Sequence, residues 1–287
     1  MATERVAVQV PIRSWFRDHC FNGKIIFAAV EAMHLLAQTA QAAHPGLNVR
    51  RMHQGRFPKF LEIPVEAADL DVLVELETEK NGGVHARLLT KIQLKTMTRM
   101  TNHCELSFAS GGEHDRTEVE IWQPCSTAPR LTLSAAQVYR DLVPFGPAYQ
   151  TLHDRLFLAA GSVWGTLRAP DLPSPGPNPI GSPFPLDGAM HAACVHGQRL
   201  VAFVPFPVGF ATRTIHKPTR AGEFYRTHVR LQSQAADEVV YDLQIIDQTE
   251  QLRETITGLR MRDVSGGRIK PPAWMQRVSS EDNGEAE

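Results

Sequence analysis

Two short segments carry side chains able to move protons. The first is Asp18-His19-Cys20-Phe21-Asn22-Gly23. A histidine with an ordinary pKa near ~6.5 is largely neutral and basic around pH 7, so His19 is a candidate general base. Gly23, four residues on, would let backbone approach a ligand, and amides at a helix start can donate to a developing oxyanion. The second segment is Pro185-Leu186-Asp187-Gly188-Ala189-Met190-His191. Asp187 and His191 lie one helical turn apart on one face, with Ala, Met and Cys around them. A carboxyl here either caps a helix or serves as an acid, just as a loop histidine either has no role or serves as a base. A base beside backbone donors is what abstraction of a proton alpha to a thioester requires, and an acid lets a poor leaving group depart. A third segment, Phe145-Gly146-Pro147-Ala148-Tyr149-Gln150, taken alone is a turn entering a strand.

The elements that must position these residues recur in the same order in two halves. In the first, a β-like run from Val6 to Ile12 precedes the polar loop Arg17 to Gly23. An apolar helix follows from Ile25 to about Ala43 and stops at His44-Pro45-Gly46. Its apolar residues occupy nearly every face, which predicts a buried helix. Alternation of apolar and polar residues from Val84 to Thr96 predicts a strand with one face in water; Asp71 to Thr78 and Glu105 to Phe108 are weaker strand candidates. Gln123 to Pro129 is rich in turn formers and divides the chain. The second half has a hairpin from Leu152 to Arg168 and a Pro-rich loop from Pro170 to Pro185. A second apolar helix runs from Leu186 to about Val201, and strands follow at Glu223 to Gln232, Glu238 to Asp247 and Leu252 to Val264. The expected units are therefore 1–123, carrying His19, and 130–267, carrying Asp187, with a polar and acidic tail, 268–287, partly disordered. One buried helix followed by several strands in each half predicts an α+β protein in which two sheets wrap helices and join into one.

Composition narrows the function. The chain has 287 residues, 43% of them hydrophobic, and a formal net charge of −1, which argues against a nucleic-acid binder. Four scattered cysteines form no CxxC pair, and twelve histidines show no HExxH pattern, so neither a disulfide framework nor a metal site is expected. No apolar run approaches the ~20 residues of a membrane span, and MATERVAVQV shows no basic region followed by an apolar stretch and a small-residue cleavage site; a soluble cytoplasmic protein is the default expectation.

The three segments together resemble the dehydratase domains of polyketide synthases and related fatty acid synthases, with the polyunsaturated fatty acid synthase dehydratases as a near branch. The family motif HxxxGxxxxP is met at His19 and Gly23, with Ala28 in place of its proline. YGPxFQ appears as FGPAYQ, Phe145 to Gln150, with the aromatics exchanged, and DxxxQ/H is met at Asp187 and His191. The segment LPFxW has a partial counterpart in Val204-Pro205-Phe206-Pro207-Val208. The motifs keep the family's order, and the resemblance covers about residues 5–265.

The resemblance implies a double hot-dog fold and loss of water from a 3-hydroxyacyl thioester held on the phosphopantetheine arm of an acyl carrier protein, giving an enoyl thioester. It implies His19 as base, Asp187 as acid and the Gly23 amide at the thioester carbonyl. His191 would hold Asp187, while Phe145, Gly146, Pro147, Tyr149 and Gln150 would lie at or behind the pocket. No metal or redox cofactor is implied. Expected partners are the carrier protein, other synthase domains or subunits and a second copy of the chain. The alternatives are a product-template-like cyclase, a double-bond isomerase, a hot-dog thioesterase, or an inactive acyl-binding or scaffolding subunit, an idea drawn from Ala28.

Overall fold

The computed structural model describes residues 3–93, 98–111, 119–123, 129–173 and 178–277. The first half comprises β1 (Thr3–Pro11), β2 (Cys20–Phe21), β3 (Lys24–Ile26), helix α1 (Ala29–Ala43), β4 (Leu47–Arg56), β5 (Glu62–Ile63), β6 (Asp69–Thr78), β7 (Val84–Gln93) and β8 (Thr98–Ser110). The second comprises β9 (Leu131–Ser134), α2 (Ala135–Asp141), β10 (Leu152–Leu158), β11 (Ser162–Arg168), α3 (Phe184–Leu200), β12 (Phe206–Ile215), β13 (Phe224–Gln234), β14 (Glu238–Asp247), β15 (Leu252–Arg262) and α4 (Ala273–Arg277).

One large antiparallel sheet runs in the order β1-β6-β7-β8-β4-β12-β15-β14-β13-β11-β10-β9, and β2-β3-β5 form a small one beside it. The halves meet where β4 pairs with β12, with Gly55 opposite Phe210 and Met52 opposite Arg213. Gly55 is needed there because a Cβ would fall 2.2 Å from the Phe210 ring. Reading outward from this seam, β4-β8-β7-β6-β1 on one side mirrors β12-β15-β14-β13-β11 on the other. Each side curves around its own helix, the double hot-dog arrangement implied by the motifs.

The helices differ in burial. Every residue of α3 from Phe184 to Arg199 is buried, its Asp, His, Gln and Arg side chains included, whereas the full burial expected of the first helix is not met. Helix α1 buries Val30, Met33, Leu36, Ala37 and Ala40 and leaves Glu31, Leu35 and Gln38 only partly buried. It also starts later than the expected Ile25. Lys24 and Ile25 instead pair with Phe21 and Cys20 across a two-residue turn, Asn22-Gly23, whose positive φ values of 50° and 74° suit an Asn-Gly hairpin.

The seam strands β4 and β12 were not anticipated from the sequence. Of the expected strand from Val84 to Thr96, residues 94–96 lie outside the described residues, as do 124–128 of the expected boundary and 278–287 of the expected tail. The start of that tail is packed rather than loose. Met275 is fully buried, and the Gln276 side-chain amide donates to the carbonyls of Gln198 and Val201 at 2.9 and 2.8 Å. No helix among the described residues is long and apolar enough to cross a membrane.

Candidate active site

His19 follows a 3-10 turn, Ser14–Asp18, and its ring is fixed by the hairpin behind it. Its backbone carbonyl accepts from the Ile26 amide at 2.9 Å, and its Nδ1 lies 2.9 Å from the Ile26 carbonyl oxygen. A carbonyl can only accept, so Nδ1 carries the proton and Nε2 keeps a free lone pair. Burial pushes the imidazole below its ordinary pKa; charge on Asp187 and the Ile26 bond oppose that shift and His191 adds to it. The neutral form is therefore the resting state near pH 7.

The segment Phe145 to Gln150 explains its glycine and proline by clasping the His19 loop. The Gly146 amide donates to the Asp18 carbonyl at 2.8 Å, and the Ala148 amide to an Asp18 carboxylate oxygen at 2.8 Å. Any Cβ on Gly146 would sit 2.6 Å from that carboxyl group. Pro147 opens a 3-10 turn, Pro147–Tyr149, and the Gln150 side-chain amide donates to the Phe145 carbonyl at 2.8 Å. This delivers Phe145 stacked on the His19 ring, centroids 4.4 Å apart, and Tyr149 4.9 Å from it. The Tyr149 hydroxyl is buried without a hydrogen-bond partner among the described residues, and burial holds it protonated.

Asp187 lies in the first turn of α3, yet no side chain caps that helix, so the capping alternative does not hold. Nε2 of His191 approaches an Asp187 carboxylate oxygen to 3.0 Å, but the angle is not that of a hydrogen bond and both atoms are left unsatisfied. Behind them, the Tyr139 hydroxyl accepts from the Leu152 amide at 2.7 Å and lies 3.4 Å from Nδ1 of His191. Burial keeps Tyr139 protonated. Its O–H can donate to Nδ1 in the His191 tautomer that carries its proton on Nε2.

His19 and Asp187 line neighbouring compartments rather than one open chamber. That of Asp187, about 230 Å³, also takes in Cys20, Phe145, His191 and Phe206; that of His19, about 80 Å³, includes Phe27, Phe57 and His103. Ala29, Phe206 and Pro207 wall both, and Phe145 lies between the two imidazoles, 5.1 Å from His191. Val204 to Pro207 line the Asp187 compartment, but Val208 does not.

Of the residues anticipated at the site, His19, Asp187, His191, Phe145 and Tyr149 converge. Gly146, Pro147 and Gln150 brace the loop from behind. Gly23 does not meet its expectation. It sits exposed at the hairpin tip, with nothing within 4 Å of a Cβ, because positive φ and not close approach is what requires glycine there. Ala29, the first residue of α1, whose start has no side-chain cap, lines both compartments. Ala28, in place of the motif proline, holds φ −61°, the angle a proline ring would impose. Tyr139, Glu31 and His34 escaped sequence reasoning. Glu31 alone had a visible signal, a carboxylate in the first turn of an otherwise apolar helix. Among the described residues, no three His, Cys, Asp or Glu side chains are grouped to hold a metal.

Comparison with known proteins agrees with this fold. The model of the polyketide synthase dehydratase N-terminal domain matches residues 121–269. No curated protein matches the chain. Among solved structures, a trans-AT PKS dehydratase domain from Brevibacillus brevis superposes with a TM-score of 0.74 at 15% identity, covering 92% of this chain and 94% of that one. The dehydratase domain from the CurJ module of curacin polyketide synthase gives 0.69 at 15%, covering 90% and 91%. A bifunctional dehydratase-cyclase domain in ambruticin biosynthesis gives 0.66 at 17%, covering 91% of each. At such identities the structures speak for the fold alone, while the family model spans just over half of the chain. The chain belongs to the polyketide synthase dehydratase family.

Proposed function

We propose that this protein removes water from a 3-hydroxyacyl thioester on the phosphopantetheine arm of an acyl carrier protein, leaving an enoyl thioester. The observation that carries this reading is the commitment of His19 Nδ1 to the Ile26 carbonyl, which leaves Nε2 as a free base within electrostatic reach of a buried carboxyl, Asp187.

Nε2 takes the proton alpha to the thioester carbonyl, the C–O bond at the next carbon breaks, and Asp187 gives the departing hydroxyl its proton. The two transfers assist each other. As Asp187 becomes a carboxylate its charge favours the imidazolium forming on His19. Return of that proton to Asp187 resets the pair. The α1 amide at Ala29, at the positive end of the helix dipole, supplies the donor for the thioester oxygen in place of Gly23. Elimination changes no overall oxidation state, so the chemistry asks for no redox cofactor.

The test is to present a 3-hydroxyacyl carrier-protein thioester and follow intact mass. Loss of one water by the parent, abolished in His19→Ala and Asp187→Asn, is the expected result. An unchanged mass with the parent removes the dehydratase reading, and release of the free acid replaces it with thioester hydrolysis.

A further inference from the structure

The mirrored strand order about the β4–β12 seam gives the site a counterpart. The candidate active site joins the segment before α1, with His19, to the first turn of α3, with Asp187. The same symmetry brings the segment before α3 to the first turn of α1. At that place lies a groove of about 820 Å³, bounded by Gly181, Ser182 and Pro183 before α3 and by Glu31, His34 and Leu35 on α1. Glu31 is the third residue of its helix and Asp187 the fourth of its own. Each has a histidine about one turn on.

Two polar groups on the groove floor are unusual for a merely packed surface. His34 is 7% exposed, and its Nε2 has no hydrogen-bond partner among the described residues. Burial, with Arg213 adding to it, pushes its pKa down to about 3, so it presents a neutral ring. The Glu31 carboxylate accepts from Trp15 Nε1 at 3.3 Å. Its pKa is pushed up to about 7 by burial and by Asp187 on α3, against the Trp15 bond and Arg13; the Tyr149 phenol also lies within its electrostatic reach. The walls are apolar, formed by Trp15, Phe27 and Phe184, and the cations Arg13, Lys217 and Arg220 also line the groove. Phe27 separates it from the His19 compartment.

The counterpart lacks one thing. Residues 169–183 contain no histidine, so the groove has an acid without the base that faces Asp187 in the other site. The geometry points to a second acyl-thioester site that binds without turning over. In it Glu31 and His34 hold the acyl carbonyl, the aromatic walls hold the chain, and the cations take the phosphate of a phosphopantetheine arm. The ligand class rests on the proposed function; the existence of the site rests on the groove.

The probe is an acyl amide of phosphopantetheine, which cannot be dehydrated, titrated into the full chain by calorimetry and tryptophan fluorescence. Two binding events per chain are expected. One of them perturbs the emission of Trp15 and is lost to that signal in Trp15→Phe. Protonated Glu31 donates to the carbonyl and the carboxylate cannot, so this event weakens as pH rises through about 7. Glu31→Gln keeps a donor and removes the pH dependence, and Arg13→Glu at the groove lining weakens the event at least about tenfold. A single event per chain, or two that ignore both variants, overturns the proposal. Turnover of the thioester form is measured in parallel. A protein that binds two probes but dehydrates nothing refutes the function and leaves the groove standing, and the converse refutes the groove alone.

Discussion

Nδ1 of His19 lies 2.9 Å from the carbonyl oxygen of Ile26, a bond that selects the tautomer and aims the other nitrogen at substrate. Because burial dominates the shift of this imidazole and lowers it, the base form persists into mildly acidic solution. The acid limb of kcat/KM should therefore fall below the ordinary histidine value of ~6.5. Activity is lost as pH drops through the lowered pKa and not before. A pH–rate profile whose acid limb sits at 7 or above would remove His19 as the base.

Gly146 touches Asp18 too closely for any side chain, with a Cβ placed 2.6 Å from its carboxyl oxygen. Gly146→Ala should displace the His19 loop. The expected cost is about 1–3 kcal/mol in chemical denaturation, and a roughly 100-fold fall in kcat follows from misplacing the base by about an ångström. Wild-type turnover in this variant would show that the clasp does not position His19.

Tyr139 links the Leu152 amide, at 2.7 Å, to His191. Tyr139→Phe leaves that buried amide unsatisfied and costs about 1–3 kcal/mol. It also frees the His191 tautomer, so kcat should fall while KM holds. A variant equally impaired in KM would place Tyr139 against the substrate.

Much of this arrangement was legible in the sequence because its signals are local. Helix α3 was anticipated from its apolar run between the Pro-rich loop and Val201, β14 was bounded correctly at Glu238–Asp247, and the three motif segments converge. The seam was not legible. In β4 and β12 the alternation carries Arg51, His53 and Arg213 where apolar residues would advertise a strand, and Gly55 is explained only by a ring from the other half. Arg213 is fully buried because Glu254, 41 positions later, pairs with it at 2.7 Å. Gly23 misled for the opposite reason, since a glycine needed for a turn and one needed for close approach read alike. Glu31 faces a groove that exists only once the halves are joined.

The Arg213–Glu254 pair offers a test of the seam. Glu254→Ala strands a buried guanidinium and should cost about 3–5 kcal/mol, whereas Arg213→Met with Glu254→Leu should recover most of the loss. Urea titration of the three proteins measures this. Equal instability of single and double variants would mean that packing, not unpaired charge, sets the cost.

The central claim is that His19 and Asp187 act on one step, and a double-mutant cycle on the single-turnover rate of dehydration addresses it most directly. Each of His19→Ala and Asp187→Asn is expected to slow the step by about 10²–10⁴-fold, with the double variant little slower than the worse single one. Rate losses that multiply in the double variant, or a full rate in either single variant, would contradict the account.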